Sequence, residues 1–286
     1  MLKYCAAISV TFALTACGGG GGTDLGVGSL AELSKSYTDS GVNSNKVLQE
    51  YSSGDSVMAL KGQFKTNNSS GKDFYVFALT KDQQTIIDTF NGAINYTTSN
   101  YSDFNGTDYY YYNASGSNAN GQAISSSNVG FYDGDTDIGG IYVVIGGHEN
   151  LMSLGYTPGD LPAGTQTYSR GDTRILYRGT VEDSYNKSTL VANFNTKKGS
   201  LLAETANLYM SATDFTINTV TGEISGGSAK VGDLNNSTDY VAAKLLGAFA
   251  GRYGDGVHGI IYQDADSTSG VPGSGVFYAL NNRLFE

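Results

Sequence analysis

Beyond Asp55, apolar and polar residues alternate over many short segments, a period typical of half-buried β-strands. Leu190, Ala192 and Phe194 fall on one face of such a segment, and Asn193 falls on the other. Clusters of Gly, Asn, Asp and Ser separate the segments, as turns require. The pattern therefore predicts an all-β chain.

The candidate strands form two blocks that meet near Pro162. The first block holds residues 57–65, 73–79, 93–98, 109–113, 128–132 and 140–145. The second holds residues 164–169, 173–179, 189–195, 200–208, 214–218, 223–230, 245–251, 256–263 and 275–280. Segment 140–145 (GIYVVI) is apolar on both faces, which predicts a strand in the middle of a sandwich.

Half-buried strands joined by hairpins favour a closed antiparallel barrel in the second block, since closure removes exposed sheet edges. The predicted organisation has four parts: residues 1–16, a signal peptide; 17–54, a lipidated Cys, Gly-rich tether and linker; 55–160, an N-terminal β-rich domain; and 161–286, the barrel domain. Two short patches of helical spacing, at 30–37 and 47–51, are interpreted as short helices or loop, and residues 82–90 as one or two helical turns.

The first seventeen residues predict export. Lys3 precedes an apolar run, residues 4–14, which suits a signal peptide but is too short for a permanent transmembrane helix. The run ends in Leu14-Thr15-Ala16-Cys17, a pattern similar to the lipobox of bacterial lipoproteins. That resemblance implies cleavage before Cys17 and acylation of its thiol and amine, for example with palmitate. The alternative is an ordinary secretory signal.

The residues after Cys17 bear on location. Gly18, rather than Asp, favours sorting to the outer membrane by analogy with lipoproteins, and the Gly-rich stretch 18–22 predicts a flexible spacer. Several acyl chains would make the lipid bilayer a firm partner. Because Cys5 leaves with the signal, the mature chain has no cysteine pair for a disulfide or a thiolate metal site.

The charge balance argues against one class of partner. The chain carries 27 acidic and 17 basic residues, a net charge of -10. Nucleic acid requires clustered Lys and Arg, so no nucleic acid partner is expected.

Several motifs of the second block resemble the bacterial surface lipoproteins with a transferrin-binding protein B-like barrel. They are the Cys-plus-polyglycine start at 17–22, the stretch 161–168 (LPAGTQTY), the paired segments 190–195 and 200–208, and the series 247–251 (GAFAG), 257–259 (VHG) and 275–277 (GVF). The resemblance covers roughly residues 161–283. It implies a β-rich handle followed by an antiparallel eight-stranded barrel, in a chain that looks like a single lobe. It also implies a binding role, since members of that family bind transferrin, haem or complement regulators.

The two histidines are candidates for a catalytic or a haem-binding group. No G-x-S-x-G motif accompanies them, so no catalytic residue and no enzyme activity are predicted. His258 is interpreted as a residue of a barrel turn at 256–259. His148 follows the apolar segment 140–145 in a polar Gly-rich loop and is the candidate haem ligand, although an ordinary loop residue is the alternative.

Alternating carboxylates at Asp133, Asp135 and Asp137 resemble the start of an EF-hand loop. Ile138 and Val144 stand where that loop needs Gly and Glu, so a solvated turn is predicted and no metal site.

A run of four tyrosines is the candidate contact surface: Tyr109, Tyr110, Tyr111 and Tyr112. In a strand two of them face each side, and tyrosine supplies rigid area plus a hydroxyl at protein interfaces. Packing across a sheet is the alternative. The leading hypothesis is thus an outer-membrane-anchored, non-catalytic module that binds a host or environmental protein. The alternatives are a haem or small-ligand lipoprotein that feeds an outer-membrane transporter, and a structural envelope protein.

Overall fold

The structure is a computed structural model that describes residues 45–50, 56–64, 72–80, 93–104, 107–117, 123–133, 136–145, 151–251, 253–263 and 273–285. The described residues form seventeen strands and one short 3-10 helix. In chain order these are β1 (Asn45–Glu50), β2 (Ser56–Phe64), β3 (Lys72–Thr80), β4 (Ala93–Phe104), β5 (Thr107–Ser117), β6 (Ala123–Asp133), β7 (Thr136–Ile145), β8 (Leu151–Tyr156), β9 (Thr165–Tyr177), β10 (Thr180–Asn193), β11 (Lys198–Glu204), β12 (Leu208–Ile217), β13 (Glu223–Ser225), β14 (Ser228–Asp233), β15 (Tyr240–Ala250), β16 (Gly256–Gln263), β17 (Gly273–Asn281) and the helix Asn282–Phe285.

The first eight strands form one antiparallel sheet in the order β1-β2-β3-β8-β7-β6-β5-β4. β1 overlaps the patch at 47–51 that predicts a short helix or loop, so that prediction is wrong for residues 47–50. The apolar residues Val47 and Leu48 suggested a helical patch, but the segment pairs with β2 over nearly its whole length. β8 was not predicted. β7, the GIYVVI strand, lies inside the sheet between β6 and β8.

The remaining strands close into an antiparallel barrel, which confirms the predicted fold class. The order around it is β9, β10, β11, β12, then β13 and β14 in a single position, then β15, β16 and β17, which pairs back with β9. Gly226 and Gly227 separate β13 from β14, and both have positive φ, at 73° and 76°. Residues 223–230 were predicted as one strand, but this left-handed pair of glycines interrupts it.

Several other predicted boundaries differ from the structure, and those of β9 and β12 differ for a physical reason. β9 runs without interruption from Thr165 to Tyr177, whereas a turn was expected near its polar centre, residues 170–172. Gly171 there pairs with Ser188 of β10, and the strand continues between β10 and β17. Segment 200–208 is predicted as one strand, but β11 ends at Glu204. β12 then runs from Leu208 to Ile217 through residues 209–213, which the prediction leaves between two strands. Barrel pairing keeps β9 extended even though residues 170–172 have the composition of a turn.

Apolar side chains fill the inside of the barrel. They alternate along each strand, as in Leu190 and Ala192 of β10 or Met210 and Ala212 of β12. At one end the rings of Tyr168 and Phe194 lie 5.2 and 5.0 Å from the ring of Phe249. The barrel therefore holds a packed core.

One side of the barrel is buried on its outer face as well. Every residue of β16 and β17 is buried. β16 contacts β3, β7 and β8 of the first sheet, and β17 contacts β7 and β8. We call β16, β17 and the second half of β15 the covered wall. None of the described residues forms a helix that is long and apolar enough to cross a bilayer.

Candidate functional site

His258 lies in the covered wall, inside strand β16 and not in the predicted turn. The flanking glycines suggested a turn, but His258 pairs with Ala248 of β15 and Tyr278 of β17. Its side chain is 0% exposed and points away from the barrel core toward the first sheet. There the ring lies 5.4 Å from the ring of Phe77, and Nδ1 lies 3.0 Å from Oγ of Ser153.

A serine hydrogen-bonded to a histidine is the arrangement that activates a nucleophile in many hydrolases. Here Ser153 is also 0% exposed, so no substrate reaches Oγ in the folded chain. Burial lowers the pKa of His258 to about 3, and the imidazole is therefore neutral at physiological pH. Nε2 has no hydrogen-bond partner among the described residues. The pair accordingly joins the two sheets and has no access to a reactant.

The four tyrosines of the predicted contact surface lie in β5. β5 is an inner strand of the first sheet, and Tyr109 and Tyr112 pair with residues of both β4 and β6. Their backbone placement is described and their side chains are not. The contact surface at Tyr109, Tyr110, Tyr111 and Tyr112 stays a prediction.

The other two predicted site residues, Cys17 and His148, lie outside the described residues. The Asp-rich segment joins β6 to β7, with Asp133 paired to Thr136 across the hairpin. Across the described ranges, no group of three His, Cys, Asp or Glu side chains is placed to hold a metal ion.

Charged groups gather at the barrel end that carries the β9–β10 turn. Tyr177 donates a hydrogen bond of 2.5 Å to Asp239, whose carboxylate also pairs with Arg178 at 2.7 Å. Burial and the neighbouring Asp239 raise the pKa of Tyr177 to about 12. Arg178 and Gly179 both have positive φ, which gives the two-residue turn the twist that a hairpin needs. The cluster fixes this rim of the barrel.

The opposite end is closed by the C-terminal segment. Arg283 of the terminal helix is paired with the carboxylate of Asp255, which is buried, and donates a bond of 3.0 Å to the carbonyl of Tyr253. Tyr168 donates a bond of 2.8 Å to the carbonyl of Gly254. These contacts hold the last residues over the ring cluster of the core.

A third surface was not predicted from the sequence. We call it the outer wall. It consists of the outward-facing side chains of five strands: residues 185–193 of β10, all of β11, β12 and β14, and the first half of β15. Large apolar or aromatic side chains are exposed on it, with exposed fractions of 64% for Tyr185, 36% for Val191, 44% for Leu202 and 41% for Tyr240. The sequence feature that indicates this surface is an apolar residue at an outward-facing position of a strand, as at Leu202 between the inward-facing residues Leu201 and Ala203.

Comparison with known proteins gives structural likeness only. No protein family and no curated protein matches the sequence. One similar structure is intact Ap-TbpB with its N and C lobes, at 12% identity and a TM-score of 0.40, covering 79% of this chain and 52% of that one. Another is the isotype 1 transferrin binding protein B from serogroup B Neisseria meningitidis, at 10% identity and a TM-score of 0.39, covering 79% and 63%. This chain thus spans less than two thirds of either, and neither likeness establishes a shared family, partner or location.

Proposed function

We propose that this chain is an exported lipoprotein, anchored to the outer membrane through acylated Cys17, whose folded part binds a host or environmental protein without catalysis. The observation that carries the binding role is the filled barrel. Its inward-facing side chains pack against one another, so recognition falls to the outside of the molecule. A rigid scaffold with polar loops and exposed aromatic side chains suits protein recognition.

The anchor is tested by metabolic labelling with an alkyne analogue of palmitate. We expect the native chain to take up label and to sediment with outer membranes. Cys17→Ser should lose both properties, whereas Cys5→Ser, the matched control in the segment that is cleaved away, should keep both. Label retained by Cys17→Ser would overturn the anchor.

Surface display is tested by treating intact cells with a protease. We expect the tagged chain to be cut on intact cells while a periplasmic marker stays whole. Protection of the chain until the outer membrane is broken would place it on the periplasmic side and would contradict the proposal.

Binding is tested with the mature chain carrying Cys17→Ser, immobilised and exposed to defined panels of host and environmental proteins. We expect at least one retained protein, eluted by free chain. Two double variants of β5 test the tyrosines. Because successive residues of a strand face opposite sides, one variant combines Tyr109→Ser with Tyr111→Ser, and the other combines Tyr110→Ser with Tyr112→Ser. One pair should weaken retention more than the other. A panel with no retained protein would count against a binding role.

A further inference from the structure

We propose that strand β4, one edge of the first sheet, pairs antiparallel with β4 of a second copy of this chain. Among the described residues β4 is the last strand of that sheet, next to β5. The first sheet thus ends in two edges, β1 and β4, whereas the barrel closes because β17 pairs back with β9. An open edge presents backbone N–H and C=O groups that can bind a further strand.

The two edges of the first sheet differ in how well they resist such pairing. β1 has six residues, carries Lys46 and Glu50, and contains a bulge. Short length, charge and bulges are the features that protect natural sheet edges. β4 has twelve residues, and its sequence AINYTTSNYSDF contains one charged residue, Asp103, and no Lys or Pro. Its Ile, Tyr and Thr residues favour strands, so β4 is the edge better suited to accept a further strand.

The barrel lies against other strands of the first sheet. β3, β7 and β8 contact the covered wall. β4 is three strand positions beyond β7, so about 14 Å separates these two strands. A strand can therefore pair with β4 without displacing the contacts between the first sheet and the covered wall.

The residues of β4 are nearly palindromic in type, which selects a second copy as the occupant. A two-fold axis between residues 97 and 98 would set β4 antiparallel to its copy. Asn95 then lies opposite Asn100 of the other copy. Ile94 lies opposite Tyr101 in the same way. Pairs of an aromatic and a β-branched residue stabilise neighbouring strands, and paired amides exchange hydrogen bonds.

A bulge in β4 puts the members of each pair on the same face, as direct opposition in an antiparallel pair requires. Ile94 and Tyr101 are seven positions apart, which in a regular strand would put them on opposite faces. Here the register with β5 shifts between Thr98 and Asn100, so one extra residue reverses the alternation. Ile94 and Tyr101 consequently share one face of the sheet. Asn95 and Asn100 share the other face for the same reason.

The distribution of charge also fits an antiparallel pair. Asp103 lies near one end of β4, so its two copies would be more than about 30 Å apart. That distance exceeds the screening length of about 8 Å at physiological salt. The pairing uses both β4 edges and leaves the two protected β1 edges at the outside. Association therefore closes at two copies and does not continue into a filament.

The test follows the oligomeric state of the mature chain carrying Cys17→Ser by sedimentation velocity at physiological salt. We expect a dimer. Thr98→Lys should raise the dissociation constant at least tenfold, because the two lysines would meet beside the two-fold axis, and Thr98→Glu should do the same. An equimolar mixture of the two variants should dimerise again, because each lysine then faces a glutamate. A misfolded variant would not recover in this way.

The matched control places the same charge on the other edge. Gln49→Lys lies in β1 and should leave the dimer unchanged. A dimer that Thr98→Lys leaves intact, or a chain that stays monomeric at every concentration up to its solubility limit, would overturn the proposal.

Disulfide trapping tests the register. The mature chain carrying Cys17→Ser has no cysteine of its own, so Asn95→Cys and Asn100→Cys each introduce one. We expect an oxidised mixture of the two variants to form a covalent dimer. Either variant alone should form it at least tenfold more slowly, since equal positions of the two copies lie roughly 15 Å apart. Equal rates for the mixture and for a single variant would contradict the antiparallel pair.

One outcome separates this pairing from the proposed function. If the chain is monomeric and Thr98→Lys loses a protein retained from the panels, β4 binds a strand of a foreign protein. The self-pairing then falls and the binding function stands. A monomer that also retains no protein would count against both.

Discussion

The covered wall and the outer wall belong to one barrel and share one core, yet their outward faces differ completely. Outward residues of the covered wall, such as Ile260 and Val276, are 0% exposed because the first sheet lies over them. Outward residues of the outer wall alternate with buried ones, as in β12, where Leu208 and Met210 are buried and Tyr209 is half-buried. Closure of the barrel thus buries the inward-facing side chains of every strand. Whether an outward-facing side chain is buried depends on whether the first sheet lies over it.

The largest difference in the free energy of unfolding is expected between substitutions of two glycines, Gly171 and Gly226. A Cβ atom on Gly171 of β9 would overlap the backbone carbonyl of Tyr278 in the covered wall, so Gly171→Ala should cost more than about 4 kcal/mol or prevent folding. Gly226, by contrast, has open space around it and a φ of 73°. Gly226→Ala should cost about 1–2 kcal/mol from the left-handed backbone alone. Urea unfolding followed by tyrosine fluorescence measures both, since the chain has no Trp. Equal losses would contradict the tight β9–β17 approach.

The next effect is a dependence of stability on pH. Burial holds the pKa of His258 at about 3 in the folded chain, below its ordinary value of 6.5. As the pH falls below 6.5, the unfolded chain takes up a proton that the folded chain does not. Its contribution to stability is therefore full above pH 6.5 and is lost as the pH falls toward 3, by about 1.4 kcal/mol per pH unit.

The variant His258→Gln isolates this histidine from the carboxylates, which also titrate in acid. We expect the difference in unfolding free energy between the native chain and His258→Gln to change with pH between 6.5 and 3. A difference that stays constant over that range would show that the imidazole is not buried in a neutral form.

A third comparison deletes one apolar side chain from each wall. Ile260→Ala in the covered wall should cost about 2–5 kcal/mol, because it leaves a cavity between the sheets. Leu202→Ala in the outer wall should cost less than about 1 kcal/mol, since 44% of that side chain is exposed. Chemical unfolding of the two variants gives the values. A similar cost for both would mean that the first sheet does not cover Ile260.

The smallest difference in stability is expected between substitutions of two serines, Ser153 and Ser211. Ser153→Ala removes the described partner of His258 Nδ1 and should cost about 1–3 kcal/mol, because a buried polar group is left without a hydrogen bond. Ser211→Ala, at a half-buried position of the outer wall, should change stability by no more than about 0.5 kcal/mol. Thermal unfolding at neutral pH compares the two variants. A larger loss of stability for Ser211→Ala than for Ser153→Ala would contradict the buried hydrogen bond between Ser153 and His258.

Much of the barrel was predictable because alternation is local. Leu190 and Ala192 were assigned to one face from their spacing alone, and both are buried in the barrel core. β9 was split by prediction because its polar centre, residues 170–172, has the composition of a turn. Only pairing with β10 on one side and β17 on the other keeps it extended. His258 was assigned to a turn for a similar reason.

The candidate sites were predicted less well. The outer wall needed strand register, since Leu202 and Lys230 are close in space only because β11, β12 and β14 are neighbours. The motif at Cys17 and the run from Tyr109 to Tyr112 are local, so the sequence could propose them without any fold. Their side chains are not described, and both stay predictions.

By itself the sequence determined an all-β chain with a C-terminal antiparallel barrel, because a two-residue period specifies which side chains a strand can bury. Only the tertiary structure decided what covers the outward face of each strand. Placing Phe77 and Ser153 over His258, and leaving Leu202 and Tyr240 uncovered, depends on contacts between residues far apart in the chain. Those contacts follow from sheet packing and closure, which no local pattern encodes.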